Sequence, residues 1–422
     1  MAQYSYQDFV DWFYEFSTRQ ALDETILLDG YLSYLTNIGF DLSRVNYAHK
    51  ALHPQVSSIS SIWVPKSLKR ELESPINAPT VERSISEVSS GFVMTLKFPI
   101  GSFDLEGFKN SPIQLVFKSG NPYRFKIEGA SKPLPYVILE DGEAIGGSDY
   151  FIVPFFFSNE PFGFLSWITK RKGGFSEDSL DFLLRTSHLI SLRWNQSVQS
   201  KTMEEVLKIY LGKATGPKVF SGRILRGDFE KIQSIIWFSD IRDFTSISER
   251  LESAALVELL NAYFGICIPV IESLGGEVLK MLGDGLLAVF PFNERNKIKT
   301  HFKSLLAARR ILKQLIIINK ERKKSGLPVI EHGIGLHYGT VMYGNIGAKD
   351  RLDFTVIGTA VNLSSRIASL CGQYRKVVLA SEEFAKEIDI QWEDLGEQTL
   401  KGVARKQRIF GIPQAEAMRD NS

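Results

Sequence analysis

Apolar residues near the start of the chain recur every three or four positions, as Phe9, Phe13 and Phe16 and then Leu28, Leu32 and Leu35. That spacing predicts two amphipathic helices within residues 6–38, the second stopped by Gly39. From Pro54 to Gly174 the pattern changes to short runs rich in β-branched and aromatic residues, such as 92–98 and 136–139, separated by Gly, Pro, Ser and Asn. Such runs predict strands of an α/β module. Ser176, Glu177 and Asp178 then offer an N-cap and acidic first-turn residues. Behind them Leu180, Leu183, Leu184, Ile190, Trp194, Val198, Val206 and Leu207 keep a helical stripe to about Gly212. A helix of this kind either packs on its own domain or pairs with a second copy, and its place between domains favours a dimer-forming signalling helix. Glycines 212, 216, 222 and 227 mark residues 213–227 as a linker. Beyond it the pattern predicts a strand at 234–238, a helix over about 248–273, a strand pair flanking Gly283-Asp284-Gly285, a helix at 297–323, strands at 330–337 and 353–357, and a helix from about Ala360. This alternation predicts a layered sheet with helices on one face.

A length of 422 residues exceeds one ordinary core, so two domains are expected. The 50 basic and 48 acidic residues are interspersed, giving a net charge of +2 without the basic stripe that a nucleic-acid backbone requires. Cys267 and Cys371 stand in no paired or metal-ligand spacing, which predicts free thiols and a reducing cytoplasm. The six histidines form no zinc-type cluster and read as core or surface residues, so any metal should be oxygen-bound. No basic segment precedes an apolar run at the start, which argues against a leader. The stretches read as most apolar, 151–167 and 311–318, are interrupted by Asn159 and Glu160 or too short to cross a bilayer, so no membrane span is expected.

Chemistry gathers in the second half. The run Phe238-Ser239-Asp240-Ile241-Arg242-Asp243-Phe244-Thr245 sets an acid where an apolar strand meets a turn, which alone would only cap that turn. Lys280-Met281-Leu282-Gly283-Asp284-Gly285 sets a second acid between two strands, which alone is ordinary hairpin chemistry. The two lie at opposite ends of a helical excursion and are followed by Thr355-Val356-Ile357-Gly358-Thr359-Ala360-Val361-Asn362-Leu363-Ser364-Ser365-Arg366. Together, in this order, residues 234–370 resemble the catalytic domain of class III nucleotidyl cyclases.

The resemblance implies an α+β, ferredoxin-like catalytic domain over 228–422, preceded by a signalling helix and linker at 176–227 and an α/β, GAF-like regulatory domain at 1–175. The last is supported by Leu52-His53-Pro54 and by 163–175, which are similar to the N-terminal regions of some soluble bacterial cyclases, and its small-molecule effector is unnamed. The implied reaction is attack of the ribose 3′ oxygen of ATP on its α-phosphorus, so charge develops on alkoxide and phosphate oxygens together. Two Mg²⁺ or Mn²⁺ ions would be held by Asp240, Ile241 and Asp284, hard oxygen ligands suiting both ions. Asn362 would orient the ribose and Arg366 would neutralise the phosphorane, the two lying four apart on one helix face. Lys280 and Thr355 would recognise adenine, through donation to N1 and acceptance from the amino group. An acid at position 280 would instead suit guanine, so guanylate cyclase is the alternative, with a catalytically degenerate nucleotide-binding protein as a third reading. Two departures stand out: Asp243 replaces a glycine usual in the first motif, and Lys401 lies only near the position of the triphosphate-gripping lysine of some relatives. Because the family completes each site across two domains and this chain keeps both residue sets, a homodimer is implied.

Overall fold

The computed structural model of the chain describes residues 4–20, 23–73, 79–157, 159–223 and 225–413, so the first three residues of the segment read for a leader lie outside them. The chain divides into two compact units, Met1–Val206 and Leu207–Ser422.

In the first unit, helix α1 (Tyr6–Arg19) is capped by Ser5 Oγ and helix α2 (Glu24–Asn37) by the Asp23 carboxylate, which accepts from the N–H groups of Thr25 and Ile26. Strands β1 (Leu42–Lys50), β2 (Val56–Val64), β3 (Glu82–Glu87) and β4 (Phe92–Pro99) precede helices α3 (Glu106–Lys109) and α4 (Pro112–Ser119). Strand β5 (Tyr123–Lys126), helix α5 (Val137–Ala144), strands β6 (Asp149–Phe157) and β7 (Glu160–Thr169) and helix α6 (Glu177–Leu211) follow. Among the described residues the strands form a seven-stranded antiparallel sheet in the order β3-β4-β2-β1-β7-β6-β5. One face packs on α1, α2 and α6 through Phe9, Tyr31, Val45, Tyr47, Trp167 and Trp194, with the Trp194 and Tyr47 rings stacked at 3.9 Å.

Residues 136–139 are not a strand as the sequence predicts: they open α5, because Glu140-Asp141-Gly142-Glu143-Ala144 continues them as a helix that buries Leu139 and Gly142. The Gly142 Cα faces Ile168 and Ile127 closely enough that a Cβ would lie 3.0 and 3.2 Å from their methyls, so this packing overrides local β propensity. Helix α6 starts where predicted, with Ser176 Oγ accepting from Ser179 N–H. Its first turns belong to the core of the first unit, where Phe182, Leu183, Ile190 and Trp194 are buried, while Met203, Ile209 and Tyr210 near its end are exposed.

In the second unit, residues 213–227, read as a linker, contain a short helix α7 (Thr215–Phe220). It is held by a buried hydrogen bond of 2.6 Å from Thr215 Oγ1 to Glu277 Oε1, whose other oxygen accepts from Tyr343 OH at 2.7 Å. Strand β8 (Phe229–Ile241), helices α8 (Phe244–Ser248) and α9 (Ser253–Ser273), hairpin β9 (Glu277–Leu282) and β10 (Gly285–Phe292), and helix α10 (Lys297–Lys324) come next. Strands β11 (His332–Ala348) and β12 (Arg351–Ile357), helix α11 (Thr359–Tyr374), strand β13 (Val378–Ser381), helix α12 (Glu382–Ala385) and strands β14 (Glu393–Gln398) and β15 (Gln407–Gly411) complete the unit. The sheet runs β14-β15-β13-β11-β8-β10-β9, with β12 paired to the far end of β11.

Strand alternation sends Ile235, Trp237, Leu286, Ala288 and Phe290 toward α9 and α10, and Ile236, Leu287 and Val289 to the opposite face, where Ala360 of α11 packs. Helices therefore occupy both faces, not one as the sequence predicts, because α11 follows the β11–β12 hairpin back over the other side. Helix α9 is long and apolar enough, by length and composition, to cross a membrane, so the most apolar stretch of this length is neither 151–167 nor 311–318 as the sequence predicts. Leu259, Tyr263, Cys267 and Ile271 on that helix are buried in the core of the unit. Both cysteines are buried free thiols, and His301, His332 and His337 are core residues.

Candidate active site

The end of β8 is pinned from below. Ser239 Oγ accepts from Trp237 Nε1 and from Tyr263 OH, each at 3.1 Å, on the α9 face, and alternation then turns Asp240 to the other face. Gly283, at φ 67°, opens a two-residue loop between β9 and β10 and sets Asp284 at its tip. Gly285 lets this tip lie against β8, since a Cβ there would come 2.9 Å from Ser239 O and 3.7 Å from Asp240 Cβ.

Burial and the charge of Asp284 push the Asp240 carboxyl up to about 6, with Arg242 partly offsetting them. Burial raises Asp284 as well, and main-chain hydrogen bonds at Asp284 and Ile241 pull it back. Among the described residues neither carboxylate has an ion-pair partner, so two like charges stand together half-buried, uncompensated by any ion pair and only partly offset by Arg242 and main-chain hydrogen bonds, an arrangement that a divalent cation fits. The Ile241 side chain is buried in the core, leaving only its main chain available to the site. Among the described residues no group of three or more His, Cys, Asp or Glu converges on one point, so the remaining cation ligands fall to main chain, water or substrate.

This site has a cost in stability that can be measured. With a folded-state pKa near 6 against an ordinary 3.8, Asp240 favours the unfolded state as pH rises from about 4 to 6, and the penalty is complete above that range. Asp240→Asn should therefore raise the melting temperature at pH 7.5 in a chelator by the equivalent of about 1 kcal/mol, allowing for solvent screening, and lose this advantage below pH 4. Thermal melts at the two pH values test it, and equal melting temperatures at pH 7.5 would contradict the uncompensated pair.

Asp243 adopts the left-handed conformation, φ 54°, at the N-cap of α8, which accounts for the glycine expected there. Its side chain is exposed. Arg242, to which the sequence assigned no role, turns back over the end of the central strands: Nη2 donates to Lys376 O at 2.5 Å, and the guanidinium lies against Gly333 and Gly372, where a Cβ would be 3.0 and 3.1 Å from it. It is the cation nearest the acid pair in electrostatic effect, and its only sequence signal is its place between two motif acids.

Lys280 sits on β9 opposite Leu287, and its ammonium pairs with the Asp353 carboxylate on β12. Thr355 is two residues further along β12, on the same side as Asp353, and is buried. The structure thus sets Lys280 against the strand that carries Thr355 and adds Asp353 as its direct partner, which the motifs did not reveal because only the β9–β12 approach makes it a neighbour. Lys401 is exposed in a turn before β15.

Helix α11 lies along β11 over a row of glycines. A Cβ at Gly339 would meet Ala360 Cβ at 2.9 Å, one at Gly335 would meet Ser364 O and Ala368 N at 2.4 Å, and one at Gly333 would meet Cys371 Cβ at 2.8 Å. Ser364 Oγ further ties the helix to Ile236 O and Gly335 O, at 3.0 and 2.8 Å. With that face buried, Asn362 and Arg366 are exposed together on the outer one, with no side-chain partner among the described residues. The backbone of Asn362 lies level with the stretch of β11 between Gly339 and Gly335, whereas Asp240 is opposite Gly333, roughly 13 Å further along the strand. Arg366, level with Gly335, is only about 7 Å from Asp240 along the strand, but both Asn362 and Arg366 project from the face of α11 turned away from the sheet that carries Asp240, so within one chain the two sets are presented on opposite sides of α11.

Residues 229–412 match the family model described as the adenylate and guanylate cyclase catalytic domain. An adenylate cyclase of Anabaena cylindrica is 38% identical over 157 residues, 36% of this chain and 30% of the relative. Adenylate cyclase 1 of Rhizobium meliloti (strain 1021) is 31% identical over 179 residues, 42% of this chain and 26% of the relative. The matched stretch thus spans less than a third of the length of either. The crystal structure of the adenylyl cyclase CyaB from P. aeruginosa aligns over 44% of this chain and 95% of its own, at 29% identity and a TM-score of 0.41.

Proposed function

We infer that the chain, whose residues 229–412 match the adenylate and guanylate cyclase catalytic domain model, converts ATP to 3′,5′-cyclic AMP and pyrophosphate. In this reaction the ribose 3′ oxygen forms a bond to the α-phosphorus, the bond from that phosphorus to the bridging oxygen breaks with its electron pair leaving on pyrophosphate, and the hydroxyl proton passes to solvent. The observation that carries the reading is the Asp240–Asp284 pair, which no ion pair compensates, set where the end of β8 meets the β9–β10 tip. Two divalent cations, Mg²⁺ or Mn²⁺, held there supply positive charge to the alkoxide and triphosphate oxygens. Asp240, Asp284 and the main chain at Ile241 hold them, Asn362 orients the ribose, and Arg366 donates to the equatorial phosphate oxygens, where charge grows most in the transition state. Since one chain presents these groups apart, two chains assemble two symmetric sites.

Lys280 and Thr355 supply a donor for adenine N1 and an acceptor for its amino group, which supports ATP. Asp353 supports a second reading, because a carboxylate there accepts from guanine N1–H and its 2-amino group. Supplying ATP and GTP separately to the full chain with Mg²⁺ or Mn²⁺, and identifying the product, distinguishes them; no product from either leaves only a nucleotide-binding role. On the ATP reading Lys280→Glu should lower kcat/KM for ATP by about 10²-fold, because a buried base partner is lost. Asp353→Ala should shift it by less than about tenfold, whereas loss of all turnover in Asp353→Ala favours guanine.

Control is assigned to the first unit, acting through α6. The exposed Met203, Ile209 and Tyr210 on its last turns offer an apolar strip for pairing with a second copy. The two free thiols support a cytoplasmic setting.

A further inference from the structure

The face of the first unit's sheet turned away from α1, α2 and α6 is not continuously packed. Buried apolar residues gather at one end around Val116, Leu139 and Ile168 and at the other around Val64, Leu72 and Met94. Between them lies a cavity of about 510 Å³, within the range of pockets that enclose small organic ligands.

Strand register explains the void. One row across the sheet reads Leu96, Ser60, Ala48, Phe164, and the next reads Phe98, Ser58, Lys50. Flanking strands β4 and β7 contribute bulky apolar side chains, whereas β1 and β2 contribute Ala48, Ser58 and Ser60, with Lys50 exposed at the end of β1, so the floor is recessed between apolar walls. The roof is residues 102–108 with α4, from which Phe103, Phe108 and Phe117 face the cavity, all half-buried. Phe103 and Phe108 meet edge to face at 4.9 Å, and Phe117 meets Phe164 in the same way at 6.3 Å. Rings in these orientations expose faces and edges that favour another aromatic ring.

Lys50 and Glu106 in the lining are exposed, and the polar groups set deeper are Asn46, Ser58, Ser60 and Ser102. Ser60 Oγ donates to Asn46 Oδ1 at 2.7 Å. That contact fixes the carboxamide, and its Nδ2 carries two donors that no protein group takes up among the described residues. A mainly apolar, aromatic-walled space whose charged side chains are exposed to solvent, and whose carboxamide donor is held in place, favours a ligand that is flat and uncharged and carries a hydrogen-bond acceptor. We propose that this cavity is a binding site for a small, uncharged aromatic molecule bearing a carbonyl-type acceptor, with its ring between the phenylalanines and its acceptor on Asn46.

The site is read without turnover, so its failure leaves the cyclase reading standing, and the reverse holds too. The probe is 6-propionyl-2-dimethylaminonaphthalene, a neutral aromatic ketone whose emission shifts to the blue in apolar surroundings, titrated into the full chain. Saturable binding of one probe per chain is expected. Ser58→Phe, which fills the floor at a half-buried position where no hydrogen bond is lost, should weaken it at least tenfold while leaving the melting temperature unchanged. Asn46→Leu keeps the volume and removes the donor, so it should erase the preference for this ketone over its analogue lacking the carbonyl. No saturable binding, undiminished binding to Ser58→Phe, or an unchanged ketone preference in Asn46→Leu would each overturn the proposal. If Ser58→Phe melts early, the Asn46→Leu comparison alone decides.

Discussion

Replacing Asp240 or Asp284 by alanine should lower cyclic nucleotide formation by about 10³-fold or more while leaving the fold intact, since several kcal/mol of transition-state charge stabilisation depend on cations held at these carboxylates. Neither side chain is buried in a structural ion pair, and burial and mutual repulsion already hold Asp240 in an unfavourable charged state. Loss of activity should therefore come with no loss of melting temperature, which separates a chemical role from a structural one. The two variants should also lose the protection against thermal unfolding that millimolar Mg²⁺ or Mn²⁺ gives the parent chain, a readout that needs no turnover. Substantial activity in either variant, or undiminished protection by the cations, would remove the two-carboxylate assignment.

Where the sequence was informative, the signal was local. The N-cap at Ser176, the helix at 297–323 and the strand pair around Gly283 and Asp284 each follow from a few neighbouring residues, and they recur in the structure as α6, α10 and the β9–β10 hairpin. Strand β8 shows the limit. Only 234–238 reads as a strand, yet pairing with β11 extends it back to Phe229, because the mixed run Phe229-Glu230-Lys231-Ile232-Gln233 has no decisive pattern until a partner supplies its hydrogen bonds. The helix read over 248–273 starts only at Ser253, as α9, and the exposed Glu249, Arg250 and Glu252 before it lie in a turn after the short α8, which hydrophobic spacing does not register. In the site, motifs supplied the acids and the α11 pair, since their chemistry is fixed in sequence. Asp353 and Arg242 escaped notice because their relevance depends on which strand or loop approaches them. The cavity of the first unit was invisible for a related reason: small residues such as Ser58, Ser60 and Ala48 look unremarkable along the chain and make a void only once register sets them in adjacent rows.

The separation of the acid pair from Asn362 and Arg366 within one chain gives the second large effect. Arg366→Ala should by itself lower kcat by about 10²- to 10³-fold with little change in KM, because the guanidinium is called on chiefly when charge builds on phosphorus. Mixed with Asp240→Ala, it should recover activity that neither variant has. In a two-fold dimer each site takes its acids from one subunit and its Asn and Arg from the other, so a mixed dimer has one site carrying both lesions and one carrying neither. Random assortment makes half the dimers mixed, each with half its sites intact, which sets the expected recovery at about a quarter of the parent rate. Asp240→Ala mixed with Asp284→Ala should recover nothing, since both lesions fall on the same side of every site. Recovery near a quarter in the first mixture and none in the second follows from shared sites. Equal silence in both, with subunit exchange verified by differently tagged chains, would mean that each chain closes its own site and that the path from Asp240 to Arg366 is bridged by substrate within one subunit.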